Sequence, residues 1–168
     1  MQGGNTMINA AMNMDPKLNS TLTKRYGPEM KGGSCVTDVI LSSQPVDYPF
    51  VEMPDLLLMM SDIVVKERGG EVIIGQNGTI VVDESMADLG MLDGLPNSVK
   101  VFRVPATAIA RENFRVVVAN NVMMGFVCKK TSIIDKDCFK AAILKSAPPG
   151  TEVMNLNAFE KGYEYGES

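Results

Sequence analysis

The octet Tyr26-Gly27-Pro28-Glu29-Met30-Lys31-Gly32-Gly33 is the part of this sequence best suited to holding an anion. Glycines let backbone N–H groups approach a phosphate closely and line a concave site. Lys24, Arg25 and Lys31 set positive charge beside them. The Gly-Pro and Gly-Gly pairs make the segment a loop. The same residues also fit a conformationally demanding turn that docks on a partner chain, and both readings stand. Glu29 is the only carboxylate in the octet. It could exchange a proton with a bound intermediate, or accept hydrogen bonds from loop N–H groups or from a partner's arginine.

Beyond this loop the composition closes routes more than it opens them. The chain contains no histidine, which removes Ser-His-Asp and Cys-His nucleophile pairs, His general bases and His-ligated metals. The three cysteines, Cys35, Cys128 and Cys138, form no Cys-x-x-Cys pair, so neither zinc nor an iron–sulfur cluster finds its usual ligand spacing. They read as small buried apolar side chains in a reducing cytoplasm. No catalytic residue and no metal ligand is expected in this chain. Twenty acidic residues against 16 basic ones give a net charge of −4, which argues against nucleic acid as a partner. The apolar runs Leu56–Met60 and 115–126 are shorter or more interrupted than the roughly 20 residues a membrane helix needs. The start, Met-Gln-Gly-Gly-Asn, has no charged segment followed by an apolar one, so a cytoplasmic setting is expected.

The elements that must position the loop follow from pattern and punctuation. At 168 residues with 45% hydrophobic residues, the whole chain, 1–168, reads as a single domain. Residues 5–15 carry apolar side chains at helical spacing and stop at Asp15-Pro16. Strands are expected at Ser20–Lys24, Cys35–Ser42, Asp55–Met60, Thr79–Val82 and Val99–Val104. The stretch Ile63–Ile74 is ambiguous, split by Gly69-Gly70 into two β-branched pieces. Pro105-Ala106-Thr107 opens a short helix. Ala119–Lys130 places Val122, Met123, Phe126 and Val127 on one helical face, and Asp135 caps a helix reaching Ser146. Asn155–Tyr165 is a last helix, with Leu156, Phe159 and Tyr163 at helical spacing. Short buried strands alternating with helices imply an α/β layered fold with a mostly parallel central sheet flanked by helices. Ligands in such sheets sit at the C-terminal strand ends. By that rule the Tyr26–Gly33 loop, Asp83 and Thr107 share one edge. Asp83 and Thr107 either line a nucleotide pocket or cap the turn and the helix that follow them. Asn121 is expected to brace the loop before its helix through backbone hydrogen bonds. Thirteen methionines fit a Met-rich core or an adaptable interface.

Several of these segments, in this order, resemble the gamma subunits of 2-oxoacid:ferredoxin oxidoreductases. YGPEMKGG (Tyr26–Gly33) is similar to the family's signature loop, and SSQPVDYP (Ser42–Pro49) to its strand-exit turn. PDLLLMMS (Pro54–Ser61), GTIVVD (Gly78–Asp83), VPAT (Val104–Thr107), the helix start Asn121–Gly125 and NLNAFEKGYE (Asn155–Glu164) follow in register. The family pattern opens with a strand and a Gly-rich turn, where this sequence holds only Gln2-Gly3-Gly4.

The resemblance implies a Rossmann-like domain packed against partner subunits of a complex that decarboxylates a 2-oxoacid to an acyl-CoA and reduces ferredoxin. Thiamine diphosphate and iron–sulfur clusters would lie on those partners, namely alpha, beta and ferredoxin-like delta subunits, and ferredoxin would be met only indirectly. This chain alone would bind no cofactor, with coenzyme A possible at its surface through Tyr26, Gly27, Glu29, Lys31, Gly32, Gly33, Thr107 and Asn121. Two other readings stay open: a structural assembly subunit without ligand contact, and a stand-alone nucleotide-binding α/β protein.

Overall fold

The computed structural model describes residues 2–26, 35–67, 71–85 and 88–167. Helix α1 (Gln2–Met14) comes first. It includes Gly3 and Gly4, so the Gly-Gly pair is helical and forms no turn ahead of the helix. A side chain at Gly4 would run into Thr37, which makes this pair a packing contact between helix and strand. Strands β1 (Asn19–Tyr26) and β2 (Cys35–Ser42) then form an antiparallel hairpin, with Asn19 opposite Ser42 and Tyr26 opposite Cys35.

A second sheet is fully parallel, with β3 (Leu56–Met59), β4 (Thr79–Asp83) and β5 (Lys100–Val104) in that order. The expected parallel sheet is therefore present, but the first two strands do not belong to it. They are long enough to pair with each other, and their partnership across an eight-residue gap has no local sequence signal.

The alternation of side chains on the parallel strands divides the core. Leu56, Leu58, Val81, Phe102 and Val104 face α3 (Ala106–Asn113), α4 (Ala119–Thr131) and α6 (Glu152–Tyr165). Leu57, Met59, Ile80 and Val82 face the opposite way, onto Val65, Leu92 and Val99. Val65 belongs to α2 (Ile63–Glu67), so the first half of the ambiguous stretch is helical. Behind α4 and α6 a third layer pairs α1 with α5 (Lys136–Ser146) through Ala10, Ala11, Phe139, Ala142 and Ile143. Asp135 caps α5 as expected, accepting from the N–H groups of Asp137 and Cys138 at 2.8 and 3.4 Å.

Because α4 lies between these layers it is buried on nearly all sides, from Ala119 to Cys128 apart from half-buried Asn120. It does not show the single apolar face read from its sequence. Helix α6 begins three residues earlier than expected and buries Asn155, Ala158, Phe159 and Gly162, while Leu156 and Tyr163 are only partly covered.

Candidate functional site

The end of the hairpin is where the candidate loop begins. Tyr26, the last residue of β1, is 62% exposed, and Cys35 across from it is exposed as well. Gly27, Glu29, Lys31, Gly32 and Gly33 lie outside the described residues. Cross-strand register places Lys24 and Tyr26 on one face with Thr37 and Cys35, and Arg25 on the other with Thr23, Val36 and Asp38. The first face is turned toward α1, since Thr37 and Leu22 crowd Gly4. The second is crossed by the connection after β2, where the Thr23 hydroxyl donates to the Pro49 carbonyl at 3.1 Å.

On this second face Arg25 Nη2 donates to Asp38 Oδ1 at 3.0 Å and stands 2.9 Å from Oδ2. The Asp38 side chain is 8% exposed and that of Arg25 38%. Sequence reading missed Asp38. Its signal was a single carboxylate inside a β-branched strand, a residue type rarely buried unless paired.

Asp83 and Thr107 meet at the C-terminal end of the parallel sheet. Asp83 Oδ2 accepts from the Thr107 N–H at 2.9 Å and from its hydroxyl at 2.5 Å, while Oδ1 accepts from the Ser85 N–H at 3.0 Å. Asp83 is 0% exposed and Thr107 5%. The carboxylate thus ties the turn after β4 to the first turn of α3, satisfying N–H groups that would otherwise be orphaned at a helix start. Of the two readings held open for these residues, the caps are what the hydrogen bonds form. Tyr26 ends a strand of the other sheet, so these three residues do not line one strand edge as the sequence suggested.

Nearby, Asp62 pairs with Lys66 at 2.6 Å and accepts from the Asp88 N–H at 3.3 Å. The Lys66 hydrogen bond holds the Asp62 carboxyl below the ordinary value. Among the described residues no group of three or more His, Cys, Asp or Glu side chains is placed to hold a metal ion.

Asn121 is buried between helices, with its amide donating to Asn155 Oδ1 on α6 at 2.6 Å. Asn155 in turn donates to the Thr151 carbonyl and hydroxyl at 2.8 and 3.0 Å. Asn121 therefore braces α4 against α6, where the expectation was the loop before its own helix.

The cysteines correct another expectation. Only Cys128 is buried; Cys138 is half-buried and Cys35 exposed. Burial, with Asp135 nearby, pushes the Cys128 thiol up to about 11, which leaves it a packed apolar group.

Residues 2–165 match the family described as pyruvate ferredoxin/flavodoxin oxidoreductase. The chain is 40% identical over 144 residues to 2-oxoglutarate synthase subunit KorC of Methanocaldococcus jannaschii, an alignment covering 84% of this chain and 74% of that protein. Its fold is similar to the keto/oxoacid ferredoxin oxidoreductase gamma subunit of Geobacter sulfurreducens, with a TM-score of 0.73 at 23% identity over 98% of this chain and 89% of the other. It is also similar to part of the 2-oxoglutarate:ferredoxin oxidoreductase of Magnetococcus marinus, solved with 2-oxoglutarate, coenzyme A and succinyl-CoA bound. There the TM-score is 0.78 at 19% identity, over 99% of this chain and 28% of that one.

Proposed function

We propose, for a chain that belongs to the pyruvate ferredoxin/flavodoxin oxidoreductase family, a place at the coenzyme A side of a composite active site. The chain is a gamma subunit of a 2-oxoacid:ferredoxin oxidoreductase, and its similarity to the KorC subunit carries that assignment. The acid we propose is 2-oxoglutarate, after the relative's name. In this reading, thiamine diphosphate and iron–sulfur clusters sit on alpha, beta and ferredoxin-like delta subunits of a cytoplasmic complex. The gamma subunit carries no redox centre, and the isolated chain is inactive.

The Tyr26–Gly33 loop is proposed to receive phosphate groups of coenzyme A. Two observations support it: the Gly-rich, Lys-bearing composition of the octet, and its position between two strand ends whose last residues are exposed. Thr107 and Asn121 drop out of this proposal, because their polar groups are engaged inside the fold.

Native mass spectrometry of the tagged endogenous complex, with cofactor analysis, tests the assignment. Larger chains bearing thiamine diphosphate and iron should co-purify with this one. A chain that purifies alone without either would overturn the subunit reading. Within the assembled enzyme, Lys31→Ala should raise the coenzyme A KM by about tenfold or more, the loss of one charge-assisted contact. The KM for the 2-oxoacid should stay in place.

A further inference from the structure

We infer that the connection between β2 and β3, residues 43–55, is a docking surface whose Tyr48, Phe50 and Met53 enter an apolar pocket with a basic rim on a larger subunit. The inference rests on the subunit reading proposed above and names a surface through which it is realised.

Large apolar side chains scattered singly over a surface need no explanation, but a cluster of them does. Tyr48, Phe50 and Met53 are 58%, 41% and 63% exposed on one short stretch, and the Tyr48 and Phe50 rings lie 5.5 Å apart. The stretch has neither helix nor strand, yet it is held at several points. The Gln44 N–H donates to Ser42 Oγ at 3.0 Å, and the Thr23 hydroxyl to the Pro49 carbonyl at 3.1 Å. At the far end the Pro54 carbonyl accepts from the Gly75 N–H at 3.0 Å, and the Asp55 carbonyl from the Thr79 N–H at 2.8 Å. Pro45, Pro49 and Pro54 fix further backbone angles. A connection so anchored loses little conformational freedom when a partner covers it. Tyr, Phe and Met are also enriched at interface cores, where rigid aromatic side chains fill pockets.

Charge and a fused relative select the occupant. Residues 43–55 contain Asp47, Glu52 and Asp55 and no lysine or arginine, and all three acidic residues are exposed. Arg25, on the hairpin face that this connection crosses, is already paired with Asp38. A matching rim is therefore rich in Lys and Arg, since a like-charged one is repelled. A second copy of this chain would bring the same acidic rim and is disfavoured here. The chain is also 32% identical over 144 residues to ketoisovalerate oxidoreductase subunit VorA of Methanothermobacter thermautotrophicus, a match spanning 83% of this chain and 28% of that one. In the KorC relative the matching region makes up 74% of the protein. The same domain thus occurs both as most of a small subunit and as a minor part of a large chain. As a small subunit it needs a surface for the neighbour to which it is elsewhere joined.

The test uses the complex purified through a tag on this chain, with the photocrosslinking residue p-benzoylphenylalanine in place of Tyr48. Irradiation should give one adduct, to a larger subunit similar to the part of VorA that this chain does not match, at a peptide flanked by Lys or Arg. An adduct to a second copy of this chain, or no adduct from an intact complex, overturns the inference. Tyr48→Ala combined with Phe50→Ala should weaken association with that subunit about tenfold or more. The variant chain should keep the wild-type circular dichroism and Tm, because both side chains are exposed. Asp47→Asn combined with Glu52→Gln should weaken association less and flatten its salt dependence, as rim charges do; tighter association would overturn the basic rim. Should the alanine pair unfold the chain, the adduct and the Asp47 and Glu52 variants still decide. Val117→Ser, a change at an exposed apolar residue just before α4, should leave the complex intact. If it releases the larger subunit and the alanine pair does not, the interface lies at that corner and this surface is wrong. A wild-type chain that purifies without larger chains removes the subunit reading and this surface with it. An intact wild-type complex that tolerates the alanine pair removes the surface alone.

Discussion

Gly125 on α4 and Gly162 on α6 each lie where the other helix's backbone passes. A methyl group at Gly125 would collide with the Phe159 carbonyl oxygen, and one at Gly162 with the carbonyl oxygen of Val122. Neither glycine has a left-handed backbone, so both are needed for close approach and not for conformation. The two helices bury Val122, Phe126, Ala158 and Phe159 around this crossing and are cross-linked by Asn121 and Asn155. Gly125→Ala or Gly162→Ala should therefore cost about 3 kcal/mol or more through overpacking against rigid backbone. At roughly 2–4 °C per kcal/mol for a domain of this size, Tm should fall by about 6–12 °C. Thermal unfolding followed by circular dichroism decides it, and a shift within 2 °C would contradict so tight a crossing.

Thiol reactivity should separate the three cysteines cleanly. Cys35 is exposed at the hairpin end, Cys138 half-buried and Cys128 buried. Burial raises both the Cys128 and Cys138 thiols, Cys128 to about 11. A raised pKa means less thiolate at pH 8, and thiolate is the reactive form. With an aromatic disulfide reagent at pH 8, Cys35 should react within the mixing time and Cys138 more slowly. Cys128 should react only on unfolding. Two equally fast thiols in the native chain would show that this layer is looser than it looks.

Much of the fold could be read from sequence wherever one segment carried its own pattern. The β-branched runs at Thr79–Val82 and Val99–Val104, bounded by Gly, Asn and Pro, are strands, and Asp135 is a cap. What failed depends on pairing between distant segments. Ser20–Lys24 and Cys35–Ser42 each read as strands, but nothing local says that they pair with each other away from the parallel sheet. Ile63–Glu67 is rich in β-branched residues yet helical, since packing of Val65 under the sheet outweighs a small propensity difference. At the site, the loop composition was plain. The Arg25–Asp38 pair was invisible because its diagonal register exists only in the hairpin.

Glu160 predicts a specific acid dependence. Burial raises its carboxyl, but hydrogen bonds from Lys136 and Lys140 outweigh this and leave it below the ordinary value. Those contacts are 2.7 and 2.9 Å and join α6 to α5, with Lys136 also 4.0 Å from the centre of the Tyr163 ring. A depressed carboxyl stabilises the fold above its unfolded pKa and loses that contribution as pH falls through the folded value. Glu160→Gln should therefore be less stable than wild type at pH 7, by about 1 kcal/mol or less for so exposed a cluster. The gap should close progressively below about pH 4.5, the ordinary carboxyl value. Urea midpoints for both proteins between pH 7 and 3.5 measure it. A gap that widens on acidification would reverse the sign argued here.

Asp83 and Thr107 set a test that divides architecture from ligand binding. Asp83 is fully enclosed and accepts from three donors, two of them on Thr107. Replacing it with alanine strands the Thr107 hydroxyl and two backbone N–H groups, each costing about 1–3 kcal/mol when buried and unpaired. Asp83→Ala should lose about 3 kcal/mol or more and assemble poorly. Thr107→Val keeps the backbone donor and removes only the hydroxyl, so a loss of about 1 kcal/mol is expected. That milder variant is the informative one, because it should still assemble. If these residues only join β4 to α3, the coenzyme A KM of Thr107→Val enzyme stays within twofold of wild type while Tm drops by a few degrees. A coenzyme A KM raised tenfold at nearly unchanged Tm would move the ligand to the C-terminal edge of the parallel sheet. The hairpin loop would then be left with docking alone.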